Sequence, residues 1–317
     1  MPEFEERWRS EVAGDTVNRL LVHEASGSVF IGDGWGVHYP ALRLHRLDLA
    51  TGAHLADVRT RHQGTSGLAI SSGSLFAATD SRLFELDLED LSIRRQWDRG
   101  LVRFAMQLVP ADSRLVAANW LMPSIGIFDP SSGRNQRVRV GRQPLLMLHK
   151  GVVKVASGFD GGLATLDPER GRLVDRVPTL PIASADAGDD VWAIVAGPSQ
   201  GGQGEPPVWT KEGTDTLVRL PGSEWRAHLP GPCDSVYCDD KRGLVWCRMK
   251  APGRELVAVS QQDGRVLNAY LPPNGFKFHT LDPDAGVAFA MLEHHVIHGN
   301  RLVSSTSTCA CLAMPRV

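Results

Sequence analysis

Residues Leu44–Gly52 read LHRLDLATG and are followed by AHLADVRT. Asp48 is a turn former and glycine tolerates a positive φ at position 52, so the apolar residues on either side predict two short strands joined by a tight turn. The same pattern recurs at Leu83–Leu91, Ile125–Gly133 and Leu163–Gly171, and more weakly at Leu217–Trp225 and Leu256–Gly264. Its turn-opening position falls at residues 48, 87, 129, 167, 221 and 260, in steps of 39, 42, 38, 54 and 39 residues.

A repeat of about forty residues that contains strands and no helix predicts a β-propeller, in which each repeat is one blade. The second repeat shows the unit, since turn residues separate four β-type runs, Leu68–Ile70, Leu75–Ala78, Leu83–Leu88 and Ile93–Trp97. We therefore expect four-stranded antiparallel blades. Apolar residues on both sides of these runs indicate that the blades stack and that neither face meets water.

The N-terminal segment is expected to complete the last blade. Phe4–Val12 aligns with the segment that begins at Ile93, which places Trp8 in an outer strand. The other strands of that blade are predicted at Phe278–Leu281, Val287–Leu292 and Thr308–Met314. Six recognised turns and this composite blade predict an all-β, seven-bladed propeller, a single domain over residues 1–317 whose ring is closed by the N-terminal strand.

Charge is nearly balanced, with 34 lysines and arginines against 36 aspartates and glutamates. Without a bulk field, we expect neither nucleic acid nor a membrane as a partner. The segment MPEFEERWRSEV lacks the apolar run of a secretory signal, and no stretch approaches the roughly 20 apolar residues that cross a bilayer. We therefore expect a cytoplasmic protein whose five cysteines are free thiols.

The turn Leu47–Gly52, LDLATG, resembles the hydrophobic-Asp-x-x-Thr-Gly turn of the quinoprotein-like and YVTN-type β-propeller superfamily. The resemblance covers nearly the whole chain and implies the seven-bladed fold, but the same turn serves dehydrogenases, lyases and scaffolds. The tryptophan-rich blade motif of pyrroloquinoline-quinone enzymes is missing, so that cofactor is not expected.

The long irregular segments are predicted to emerge on one face of the propeller, while tight turns such as DLATG emerge on the other. These segments are Gly32–Pro40, Asn119–Ser124, Gly197–Asp215, Arg248–Glu255 and Glu293–Ser307. Elaborated loops on one face of a rigid scaffold are typical of a binding surface.

Polar residues at the starts of the first strands and the ends of the second strands are expected to converge on a central funnel. The catalytic candidates are His62 and His279 as acid and base, Arg103 and Arg142 as anion holders, and Asp234 and Glu293 as orienting or metal-binding carboxylates. The alternative is that these residues are solvated loop charges or pair with each other.

A second set of residues is predicted to contact a ligand because it lies in the elaborated loops or at their borders. It comprises Asp33, Trp35, His38, Tyr39, Asn119, Trp120, Trp209 and Arg248. Loop tryptophans suit a flat ligand or a protein partner, and the alternative is that each packs onto its own blade.

No cofactor is expected. The alternative is a divalent metal held by His279, Glu293 and His294, whose donors are suitable although their spacing matches no known motif. Cys309 and Cys311 are expected to be small buried hydrophobes, whereas Cys233 in a loop is a candidate nucleophile.

The main functional hypothesis is an enzyme of the lyase, isomerase, cyclase or hydrolase type that acts on a small polar or anionic metabolite in the funnel. The alternative is a non-catalytic propeller scaffold that binds a ligand or a protein partner through the loop tryptophans.

Overall fold

A computed structural model describes residues 3–13, 17–33, 43–60, 64–79, 82–98, 107–119, 121–195, 215–222, 225–250, 255–273, 275–298 and 301–315, with the backbone alone at residues 13, 17, 18, 33, 295–298 and 301–305.

The described strands form seven four-stranded antiparallel sheets, numbered here as blades 1 to 7. The first strand is β1 (Glu5–Ala13), and blades 1 to 3 contain β2 (Val17–His23), β3 (Ser28–Asp33), β4 (Arg43–Asp48) and β5 (His54–Arg59); β6 (Gly67–Ser71), β7 (Ser74–Ala78), β8 (Arg82–Leu86) and β9 (Ile93–Asp98); and β10 (Gln107–Ala111), β11 (Arg114–Ala118), β12 (Ser124–Asp129) and β13 (Arg134–Arg139). Blades 4 to 6 contain β14 (Pro144–His149), β15 (Val152–Ser157), β16 (Leu163–Asp167) and β17 (Arg172–Val177); β18 (Ile182–Ala187), β19 (Val191–Val195), β20 (Thr216–Leu220) and β21 (Arg226–His228); and β22 (Cys233–Asp239), β23 (Leu244–Met249), β24 (Leu256–Ser260) and β25 (Val266–Tyr270). Blade 7 contains β26 (Lys277–Asp282), β27 (Val287–His298), β28 (Arg301–Ala313) and β1.

These sheets confirm the predicted fold, an all-β propeller of seven blades. The four runs predicted in the second repeat correspond to β6–β9, with boundaries that differ by one or two residues. A 3-10 turn at Glu24–Ser26 is the one helical segment of the described residues, so none of them belongs to a helix that is long and apolar enough to span a membrane.

The chain's first strand completes blade 7, as predicted. β1 lies at the edge of that sheet and pairs antiparallel with β28, with Trp8 opposite Cys311 and Val12 opposite Ser307. Trp8 and Val12 are buried and pack in a cluster with Phe289 of β27 and Val29 of blade 1. The first strand is therefore part of the core, and its contacts extend to blade 1.

The aspartate that opens the repeated turn stabilises the turn through its side chain. Asp48 Oδ1 accepts hydrogen bonds from the Thr51 backbone N–H and the Thr51 hydroxyl, both at 2.8 Å. Gly52 closes the turn at a φ of 72°, a left-handed conformation that side chains disfavour. Asp129 repeats the arrangement in blade 3, where Ser131 is the donor. Because these bonds are local, aspartate and glycine recur at the same positions of the turn.

The expectation that neither face of a strand meets water is wrong for the fourth strand of a blade. β7, the second strand of blade 2, is buried at every position, but β9, the fourth strand, is exposed at all positions except Trp97. β9 pairs with a single neighbour at the edge of its sheet, so its outward side chains face solvent.

The expectation of an irregular loop at Glu293–Ser307 is also wrong. β27 and β28 continue as a paired ladder in which Glu293 lies opposite Ser307, His294 opposite Thr306 and His298 opposite Arg301. Val296, Ile297 and Val303 are β-branched residues, which favour an extended strand over a loop.

The chain divides into two compact units. Unit 1 contains Met1–Asn119, Gly126–Gln136 and Asn274–Arg316, and unit 2 contains Trp120–Ile125, Arg137–Pro273 and Val317. Each has an apolar core of its own: Trp8 and Phe289 share a cluster in unit 1, and Trp192 and Val245 share one in unit 2. The single-domain organisation stays a prediction.

Candidate functional site

Seven of the predicted site residues fall outside the part of the chain that the structure describes. They are His62, Arg103, Trp35, His38, Tyr39, Trp120 and Trp209. Asp33 is the last residue of β3, and its side chain is likewise outside the description. The convergence of these residues on one funnel stays a prediction.

Arg142 lies just before β14 and pairs with Asp160 of the same blade. Its backbone N–H donates to Asp160 Oδ2 at 2.8 Å, and its guanidinium lies 3.2 Å from Asp160 Oδ1 and 3.4 Å from the centre of the Phe159 ring. The Arg142 backbone N–H and guanidinium hold the pKa of Asp160 below its ordinary value against the opposing effect of desolvation. The predicted anion holder thus already has an anion and a ring as partners.

Asp234 and Arg248 form a second pair, within blade 6. Arg248 Nε donates to Asp234 Oδ1 at 2.7 Å, and its terminal nitrogen donates to Ser235 Oγ at 2.8 Å. The two side chains are only 24% and 15% exposed, respectively, so the pair is largely removed from water. The ladder explains the contact, because Ser235 lies opposite Arg248 in the β22–β23 register.

The remaining described candidates do not form one site. His279 is half-buried on β26, Glu293 is exposed on β27, and the exposed His294 has its Nε2 3.1 Å from Thr308 Oγ1. Among the described side chains, the ligand atoms of His279, Glu293 and His294 do not come together as a metal-binding group. Asn119 is buried directly after β11.

The cysteines lie in the interior rather than in a reactive loop. Cys233 is the first residue of β22, is buried, and donates through Sγ to the Ser235 carbonyl at 3.2 Å. Desolvation raises the pKa of Cys233 well above its ordinary value and that of Cys311 to about 12. A nucleophilic cysteine needs a lowered pKa, so Cys233 has the opposite environment.

Sequence reasoning missed a cluster in unit 2 that contains His149, Asp189 and Asp240. His149 ends β14, Asp189 lies between β18 and β19, and Asp240 follows β22. One ligand atom of each lies within 4.8 Å of the others. The three residues lie in or next to the turn between the first and second strands of three successive blades. A histidine or aspartate at this turn in three successive repeats was the signal available in the sequence.

Charged and polar side chains surround the cluster of His149, Asp189 and Asp240. Lys150 Nζ donates to Asp189 Oδ1, and the Gln261 side-chain amide donates to Asp240 Oδ1 at 3.0 Å. Nearby, Asp186 of β18 accepts the backbone N–H of Cys238 at 2.8 Å and that of Ala187 at 2.9 Å. Desolvation nevertheless raises the pKa of Asp186 to about 6.

The chain matches no family model and no curated protein. Solved structures resemble it in fold. The WD40 domain of Neurospora crassa Pan2 superposes with a TM-score of 0.66 at 9% identity, over 100% of this chain and 97% of that one. The β-propeller domain of Myceliophteria thermophila Cps50 (Swd1) gives 0.63 at 10% identity, over 98% and 99%. Kuenenia stuttgartiensis hydrazine synthase gives 0.62 at 11% identity, over 86% and 92%. At these identities the likeness shows the fold alone.

Proposed function

We propose that this propeller is a non-catalytic scaffold that binds a partner through its loops. The observation that carries the proposal is the pairing of both described candidate arginines with carboxylates of their own blades. Arg142 is paired with Asp160, and Arg248 is paired with Asp234 and Ser235. A substrate anion would have to compete with these partners for either arginine.

The energetic argument is sharpest for Arg248. Its guanidinium and the Asp234 carboxylate are largely shielded from water, and breaking such a pair leaves a poorly solvated charge. A ligand that replaced Asp234 would need to compensate that loss before it gained affinity. These residues therefore suit a structural role in blade 6 better than the ligand-binding and catalytic roles predicted for them.

The solved structures give weaker support. Two of the similar structures are a WD40 domain and a β-propeller domain, and the third is hydrazine synthase, an enzyme. The fold serves both kinds of protein, so the preference for a scaffold rests on the pairing of the arginines.

The first test asks whether the predicted loop tryptophans bind a protein partner. Tagged wild-type chain, Trp35→Ala and Trp209→Ala are purified from the native cells, and co-purifying proteins are quantified by mass spectrometry. We expect the tryptophan variants to lose a partner by about tenfold or more, as at interface hot spots. Leu271→Ala is the matched control, because Leu271 is an apolar side chain that is 69% exposed between β25 and β26.

A thermal-shift screen of polar metabolites examines the enzyme hypothesis in parallel. We expect no metabolite to raise the Tm of the wild type. The scaffold proposal is overturned if a metabolite raises that Tm by several degrees and Arg142→Ala or His279→Ala removes the shift. It is also overturned if no protein is lost from the Trp35→Ala and Trp209→Ala samples.

A further inference from the structure

We propose that His149, Asp189 and Asp240 form a binding site for a divalent cation of the Zn²⁺ or Mn²⁺ class. Their ligand atoms lie within 4.8 Å of one another, a span that small side-chain rotations convert to metal-ligand distances. First strands β14, β18 and β22 pack side by side, so three turns distant in sequence meet at one place.

The donor set indicates the class of ion. One imidazole nitrogen and two carboxylates suit zinc, manganese or iron, whereas calcium and magnesium prefer oxygen ligands alone. With a neutral imidazole, the two carboxylates carry two negative charges that one divalent cation balances.

The Nε2 atom of His149 lacks a hydrogen bond in its present surroundings. This atom is inaccessible to solvent and makes no hydrogen bond. Its contact with Asp189 Oδ1, at 3.4 Å, has ion-pair distance without the alignment of a hydrogen bond. A buried polar atom without a hydrogen-bond partner is destabilising, and coordination to a cation would satisfy it.

Gly188 provides the space that the Asp240 carboxylate occupies. A Cβ at position 188 would lie 2.6 Å from both carboxylate oxygens of Asp240. The φ of Gly188 is outside the left-handed region, so its backbone does not require glycine. Close approach of the Asp240 carboxylate to the turn is what requires glycine here.

The present partners leave the carboxylates available to an ion. Among the described residues, no cation lies within ion-pair distance of Asp240, whose oxygen accepts from the neutral Gln261 amide. The Lys150 side chain that pairs with Asp189 is 68% exposed and can move into solvent. Asp189 and Asp240 also line a cavity of about 610 Å³, which has room for the waters that complete a coordination shell.

The experiment uses the purified full chain, freed of any affinity tag and stripped with a chelator. Mn²⁺ binding is measured by electron paramagnetic resonance, and retained Zn²⁺ is counted by elemental analysis. We expect one ion per chain. Asp240→Asn and His149→Gln each remove a ligand, so both are expected to weaken binding by more than the roughly 10- to 100-fold that follows loss of an outer-shell partner.

Two further variants separate a metal site from general surface charge. Asp112→Asn makes the same chemical change in the equivalent turn of blade 3 and is expected to leave affinity unchanged. Gly188→Ala keeps all three ligands but displaces Asp240, so we expect affinity to fall by about 10- to 100-fold. Thermal unfolding without metal checks that each variant folds.

The proposal is overturned if the wild type retains neither ion at about 1 mM, the weak limit of specific cation sites. It is overturned equally if Asp240→Asn and His149→Gln bind as tightly as the wild type and Asp112→Asn.

Discussion

The indole of Trp8 lies directly against Gly52, so that a Cβ at position 52 would be 2.5 Å from the ring, and Trp8 Nε1 donates to the Leu49 carbonyl at 2.8 Å. The outer strand of blade 7 is thereby joined to the repeated turn of blade 1. The arrangement recurs, since Trp97 of blade 2 lies 3.6 Å from the Cβ position of Gly133, and Trp225 of blade 5 lies 3.0 Å from that of Gly264. In these three cases a tryptophan at the outer strand of one blade covers the turn glycine of the next.

Gly52→Ala is expected to destabilise the protein for two reasons, a left-handed φ of 72° and the contact with Trp8. The backbone effect alone is about 1–2 kcal/mol. Gly73→Ala is the matched control, because Gly73 has a φ of 74° and nothing within 4 Å of its Cβ position. Each variant's loss of unfolding free energy relative to the wild type is measured in urea. The larger loss expected for Gly52→Ala measures the contact with Trp8, and equal losses would show that the contact contributes nothing.

Leu91→Gly is expected to destabilise the protein although it removes backbone strain. Leu91 occupies the turn position that is glycine at residues 52, 133 and 171, and it has a φ of 59°. Its side chain is completely buried against blade 1 residues such as Phe30 and Leu44. Loss of a buried leucine costs about 2–5 kcal/mol, which exceeds the roughly 1–2 kcal/mol of backbone relief. A more stable Leu91→Gly variant in urea unfolding would contradict this ranking.

The two arginine pairs are expected to differ in their contribution to stability. Asp234→Ala leaves Arg248 without its carboxylate in a site largely shielded from water, and we expect a loss of about 3 kcal/mol. Arg142→Ala removes a pair whose side chains are 59% and 44% exposed, and we expect a loss below about 1 kcal/mol. Chemical unfolding of both variants gives the comparison. Equal losses would mean that the Asp234–Arg248 pair is not structurally important.

Asp186 is expected to make stability depend on pH. Desolvation raises its pKa in the folded state to about 6, above the ordinary 3.8, so the folded state binds the proton more tightly than the unfolded chain. The contribution of Asp186 to the free energy of unfolding therefore falls as pH rises between about 4 and 6. Two pH units at about 1.4 kcal/mol each limit the effect to about 3 kcal/mol.

Asp186→Asn cannot titrate, so the wild-type minus variant difference in unfolding free energy is expected to fall across that pH range. His149 and Asp240 also act on Asp186 electrostatically, and both remain in the variant. A difference that does not change between pH 4 and pH 6 would contradict the raised pKa.

The fold could be predicted because its determinants are local. Asp48 and Gly52 form a turn from their own side-chain bond and backbone conformation, and the same chemistry marks the following repeats. The alignment of Trp8 with an outer strand predicted how blade 7 is completed, and the pairing with β28 confirms it.

The site could not be predicted in the same way. The sequence predicts different roles for Asp234 and Arg248, and only the β22–β23 register, which places Ser235 opposite Arg248, explains why they pair. His149, Asp189 and Asp240 lie in separate repeats and meet because β14, β18 and β22 pack together. Such contacts depend on the rotation between blades, which a residue pattern does not contain.

The pairing of Glu5 with Ala313 has a consequence for biosynthesis. A ribosome adds about 5–20 residues per second, so roughly 15–60 s pass between the synthesis of these two partners. Throughout that interval β1 lacks β28, the strand with which it pairs. The nascent polypeptide is thus open to strand exchange with another molecule until β28 has been synthesised.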